Sequence, residues 1–185
     1  MKIAILLTAL LSFNASANEH LAFTQQSQSA IKEFATSLKA ELITAMKAGG
    51  PIEAITVCNQ VAPKIAENLS QKYNMKIGRT SLKVRNNKNK ADKWESEILT
   101  QFEYLKQSGD SINSLAFSEA ISTNEGIEMR MMKAIPTGQV CLTCHGSNIA
   151  ANVQARIHTL YPDDQATGFS VGDIRGAFTI HQAAQ

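Results

Sequence analysis

The stretch IKEFATSLKAELITAMKAGGPIEAITVCNQVAPKIAENL, residues 31–69, decides the fold class. Its apolar positions Ile31, Phe34, Leu38, Leu42 and Met46 recur at steps of three and four, the period of an amphipathic helix. The pattern predicts one long helix over 19–47. Gly49-Gly50 ends it, and Pro51 suits the first turn of a second helix. That second helix gathers Ile52, Ile55, Cys58, Val61 or Ala62, Ile65 and Leu69 on one face, with Pro63 inside the pattern. Proline has no N–H to offer the carbonyl of Asn59, so a kink or break is expected just after Cys58.

Downstream the texture changes. Strands are expected at 76–84, 114–122, 126–135 and 173–181, with an Asn/Lys-rich turn at 86–90. Two more helices are expected at 92–107, where Trp94, Ile98, Phe102 and Leu105 face inward, and at 150–160. Two helices followed by strands mixed with further helices predict an α+β domain around an antiparallel sheet.

Upstream, Lys2 precedes an apolar run from Ile3 to Leu11, and Ala15-Ser16-Ala17 supplies small residues. This order reads as a secretory leader over residues 1–17, cleaved between Ala17 and Asn18. Its apolar core is shorter than the roughly 20 residues a spanning helix needs. The expected mature chain, 18–185, is one domain in the periplasm without a transmembrane segment. A formal net charge of +2 argues against a nucleic-acid partner, as does export.

Three cysteines in an oxidising compartment cannot all pair with one another. Two belong to Cys141-Leu142-Thr143-Cys144-His145, the C-x-x-C-H signature of covalent c-type haem. Two intervening residues let both thiols reach the vinyl groups along one porphyrin edge, and the adjacent histidine ligates the iron. A thioredoxin-like pair would open a helix in a βαβ context, which the pattern lacks. Zinc would need a second ligand pair, and no other C-x-x-C or H-x3–5-H is present. A Cys141–Cys144 disulfide would leave His145 unexplained. One covalent haem c is therefore expected, with His145 as one iron ligand.

For the opposite iron position the candidates are Cys58, His158, His181, Met46, Met75, Met129, Met131 and Met132. No methionine follows Cys144, which counts against an ordinary small cytochrome c. Cys58 is either a soft thiolate ligand that favours ferric iron or a small buried hydrophobe. His20 reads as a surface residue near a helix start. Arg79 and Arg85, in the run 79–87, and Arg175 are candidate clamps for the haem propionates, against the plainer reading of solvated charge.

Five motifs in order carry a resemblance. They are Val57-Cys58-Asn59 with Ala62-Pro63; Arg79-Thr80-Ser81-Leu82 with Arg85-Asn86 and Asn89; Trp94-Glu95; the segment from Cys141 to Gly146; and Gly172-Asp173-Ile174-Arg175-Gly176. Across nearly the whole mature chain the sequence resembles the bacterial family of single-haem c-type domains with a PAS-like sensor fold. The resemblance implies a five-stranded antiparallel PAS-like sheet flanked by helices, behind a long N-terminal helix. It also implies iron held between His145 and Cys58. The expected role is sensing of redox state or a diatomic gas, with electron transfer as the alternative. An enzymatic role is not expected, because a six-coordinate His/Cys iron lacks an open position. No kinase, cyclase or methyl-accepting segment follows Gln185, so an unidentified periplasmic signalling or redox protein is the expected partner.

Overall fold

Helix α1 (Ala4–Thr56) carries the stripe read from the sequence and is broken where Gly49 and Gly50 leave helical geometry. Gly50 adopts φ 66°, a left-handed conformation costly for any residue with a Cβ. The computed structural model describes the backbone of residues 4–184 and side chains from residue 18 onward. The expected leader, 1–17, and its cleavage point lie outside the residues whose side chains are described.

Directly after α1 the helix widens into one π-turn, Val57–Val61, and then continues as α2 (Ala62–Tyr73). The kink expected after Cys58 takes this form. Pro63 cannot donate to a carbonyl one turn back, and the Ala62 N–H reaches Val57 O instead, five residues away. A proline that would break a regular helix is thereby absorbed at the start of α2.

The remaining elements are β1 (Lys76–Thr80), α3 (Lys93–Gln107), β2 (Ala116–Thr123), β3 (Gly126–Pro136), α4 (Leu142–His145), α5 (Ala151–Leu160) and β4 (Ile174–Gln182). The strands form one antiparallel sheet in the order β1-β4-β3-β2. Both faces are covered. Ile77, Met131 and Ile180 pack with Phe23, Phe34 and Leu69 of α1 and α2. On the other face Met132, Ala134 and Ala177 pack with Ile98, Leu99 and Phe102 of α3. Met131 and Met132 are thus neighbours in sequence and buried in opposite layers, as the two-residue period of a strand requires. Asp92 caps α3 by accepting from Glu95 N at 2.7 Å, while the Glu95 carboxylate accepts from Asp92 N at 3.0 Å.

The α+β class and the antiparallel sheet agree with expectation, but the sheet has four strands among the described residues, not five. The edge beside β1 holds no further strand among the described residues. There Lys83 N donates to Ser81 Oγ at 3.2 Å, and the chain turns away four residues before the expected strand end. Segment 81–90 returns only as a short 3-10 turn, Asn87–Asn89, and a single Ser81–Lys90 bridge. Next to β1, Ser70 Oγ of α2 accepts from Ile77 N at 3.0 Å, so a side chain serves a donor that a strand partner would otherwise serve.

Candidate functional site

The π-turn presents Cys58, half-buried, to a cavity of about 130 Å3 shared with Arg79, Arg85, His145, Tyr161 and Arg175. A second, larger cavity of about 580 Å3 runs along the β1 edge, and Cys58 and Arg79 line it too. That volume falls within the roughly 300–1,000 Å3 usual for cofactor and ligand sites. The sequence places Cys58 and His145 far apart, and the fold brings them to one wall-lined space.

His145 ends the single-turn helix α4, which directly follows a 3-10 turn, Gln139–Cys141. Gly146 permits the exit, since a Cβ there would sit 2.7 Å from Leu142 O. Nδ1 of His145 lies 2.7 Å from the Ala166 carbonyl, which can only accept, so the proton resides on Nδ1. Nε2 then keeps its lone pair, and Arg175 Nε lies against the ring, 3.2 Å from Nδ1 and 3.5 Å from Nε2. Burial, reinforced by the charges of Arg175 and Arg85, pushes the His145 pKa down to about 2. The ring is therefore neutral across the physiological range, the state in which imidazole ligates a metal. Phe169 stands edge-on to the ring, with centroids 6.3 Å apart.

The three arginines differ in how they are satisfied. Arg85 and Asp164 are each only 9% exposed and form a forked pair, Nε–Oδ1 at 3.1 Å and Nη2–Oδ2 at 3.0 Å. Arg85 Nη2 also donates to Cys144 O at 2.6 Å and to Ala166 O at 3.2 Å. Arg175 reaches Ser81 Oγ and the Lys83 carbonyl, and burial followed by Arg85 and Arg79 brings its pKa to about 10. Arg79 stacks on Phe34, its guanidinium carbon 5.6 Å from the ring centroid. Burial lowers the Arg79 pKa, and no carboxylate is among the groups that offset this. Three guanidinium groups therefore line the smaller cavity, only Arg85 paired with a carboxylate, Asp164, which favours an anionic occupant.

Of the candidates for the opposite iron position, Cys58 alone lines the His145 cavity among the described residues. His158 is exposed on α5. His181 lies in β4, 3.1 Å from Glu128, and lines only the larger cavity. Met75, Met131 and Met132 are buried in the sheet layers, Met129 packs against the first of them, and Met46 packs beside Ala45 and Val57. His20 bonds Ser118 Oγ at 2.8 Å. Cys144 packs against the Ile55, Val153 and Ile157 cluster, where burial raises its pKa.

Sequence reading missed Tyr161, Asp164, Ala166 and Phe169. They sit in a loop without periodicity, and the single hint, the acidic pair Asp163-Asp164, is indistinguishable from an ordinary surface turn.

A family profile described as Tll0287-like, Tll0287, matches residues 11–183. The chain belongs to this family. Among solved structures, the crystal structure of the cyanobacterial heme-protein Tll0287 superposes with a TM-score of 0.63. The alignment covers 89% of this chain and 98% of the other at 24% identity, which shows a shared Tll0287-like fold. No curated protein matches significantly.

Proposed function

We propose that the chain is a periplasmic mono-haem c-type protein, freed of a leader at 1–17, that senses redox state or a diatomic gas. The porphyrin attaches covalently through Cys141 and Cys144, and His145 and Cys58 hold the iron. One observation carries this reading: a neutral imidazole with Nδ1–H tied to Ala166 O lines the same cavity as Cys58. The arginine excess supports it, because two propionate carboxylates would meet Arg79 and Arg175, while Arg85 Nε and Nη2 are already engaged. Among the described residues no group of three or more His, Cys, Asp or Glu side chains is arranged to hold a metal ion by itself. No described helix is long and apolar enough to cross a membrane. The family relationship adds that a relative of the same fold is a heme-protein.

Haem, held by His145 and Cys58, would supply a one-electron iron centre. The protein contributes a contrast between its two ligands. His145 is held by fixed hydrogen bonds, whereas Cys58 rides on a π-turn, a helix state one hydrogen-bond register from the regular α form. Departure of Cys58 as the thiol, with a proton taken up at Sγ, would free that turn to change register and so move the helix.

The test is the electron paramagnetic resonance spectrum of ferric protein matured in a haem-c-competent periplasm. A low-spin signal of narrow g-spread is expected from thiolate ligation. A wide spread of bis-histidine or methionine type removes Cys58 from the iron. Cys58 that stays bound in the ferrous state and resists carbon monoxide removes the sensing mechanism.

Electron transfer is the second reading, favoured by Val140, 62% exposed immediately before Cys141, where apolar surface beside the attachment edge could meet a redox partner. Rapid electron self-exchange with no structural change on reduction would select it.

A further inference from the structure

The loop 163–169, between α5 and β4, has no chemistry of its own, yet it surrounds His145. Phe169 N donates to His145 O at 2.9 Å, and Gly168 N donates to Gly146 O at 3.0 Å. Ala166, fully buried, supplies the carbonyl that receives the ring Nδ1–H. The strap is in turn fixed to segment 84–87. Gln165 N donates to Val84 O at 2.8 Å, and Asn87 Nδ2 donates to Asp163 Oδ2 at 3.1 Å.

Arg85 and Asp164 occupy the centre of this arrangement. Asp164 Oδ1 receives both Arg85 Nε–H and, at 2.9 Å, Ala166 N–H, which shapes the strap around the carbonyl. Arg85 Nη2 bridges Cys144 O, next to the histidine in sequence, and Ala166 O, next to it in space. One guanidinium thus binds the backbone that bears the imidazole and the acceptor that orients it. A buried pair with every such contact made is costly to disturb on either side.

We propose that the Arg85–Asp164 pair is a positioning device for His145 that fixes the ring through its Nδ1–H and tunes the donor strength of Nε2. The tuning follows from sharing. The Ala166 carbonyl accepts from His145 Nδ1–H and from the Arg85 cation at once, so less of its basicity is available to the imidazole. A weaker pull on Nδ1–H makes Nε2 a poorer donor and favours ferrous iron relative to an unshared carbonyl. Arg85 and Asp164 are positioning residues, acting through His145. This inference rests on the proposed His145 ligation.

The experiment compares holoprotein, Asp164→Asn, Arg85→Lys and Arg85→Gln, each matured with covalent haem. Two readouts are used: the reduction potential, and the exchange rate of the hyperfine-shifted ring N–H proton of His145 in the ferric state. Arg85→Gln, which removes the cation from the carbonyl, is expected to lower the potential. Arg85→Lys and Asp164→Asn are expected to speed ring N–H exchange by about tenfold or more, the effect of loosening one charge-assisted hydrogen bond. Potential and exchange both unchanged in all three variants would overturn the proposal. Folding failure in the variants leaves a test in the wild type, where the Gln165 and Phe169 backbone N–H groups must be among the slowest to exchange. Fast exchange at both overturns the proposal as well. A wild-type protein without His145-ligated haem marks failure of the functional reading itself, and the proposal falls with it.

Discussion

The two walls of the cavity are built in opposite ways. On the His145 wall, backbone, ring and strap are cross-linked by a nine-tenths buried ion pair and a ladder of hydrogen bonds drawn from three separate segments. On the Cys58 wall, the thiol sits on a π-turn whose shape follows from a proline two residues beyond it. Polar cross-links between distant segments resist motion, whereas a π-turn and an α-turn differ by one register step. In the proposed reading, the contrast makes His145 the ligand that stays and Cys58 the ligand that can leave.

The most severe way to break this contrast is to remove attachment. Cys141→Ser or Cys144→Ser is expected to cut covalently loaded protein severely, seen in intact mass spectrometry as chain without haem. An unmodified wild-type mass from a competent host would end the haem c reading. Next in size, Asp164→Ala leaves the Arg85 guanidinium buried without its carboxylate. A loss of about 3–5 kcal/mol in urea unfolding is expected. Cys58→Ser should cost only about 1 kcal/mol by the same measurement, although it removes the thiolate signature from the spectrum. Comparable losses for the two would erase the distinction between the walls.

Pro63→Ala sharpens the comparison from the mobile side. Restoring an N–H opposite Asn59 O lets the helix close as a regular α-turn, which swings one residue by about 100° around the axis. The thiolate-ligated fraction should fall while covalent haem stays. An unchanged spectrum would mean that packing, not the proline, fixes the turn.

The smallest expected effect lies away from both walls, at the cap of α3. Burial raises the Asp92 pKa, but the Glu95 N–H and Arg130 outweigh it and hold the carboxyl below its usual value. A depressed carboxylate stabilises the fold above its unfolded pKa and ceases to as pH falls through the folded one. Asp92→Ala is therefore expected to cost about 1 kcal/mol near neutrality, with less difference from wild type below about pH 3.9. An undiminished difference in acid would assign the cap to shape rather than charge.

Much of the fold was legible because burial imposes a period on sequence. The stripe Ile31 to Met46, the break at Gly49-Gly50 and all four strands follow from local pattern, and each strand lies within a few residues of its expected place. The fifth strand came from resemblance alone. Among the described residues it is not formed, and segment 81–90 instead turns at Ser81 and commits Arg85 to Asp164. A polar loop shows no periodicity by which such a long-range commitment could be read.

The sequence by itself determined the C-x-x-C-H motif, the helical start, the antiparallel sheet and the irregularity after Cys58, because each depends on neighbours within a turn or two. Only the tertiary structure decided that Cys58, and neither a methionine nor another histidine, shares the His145 cavity. It alone decided that Arg85 pairs with Asp164 and that Ala166 orients the imidazole. Those relations join residues far apart in the chain. They depend on where the sheet carries the loops, a fact no local spacing records.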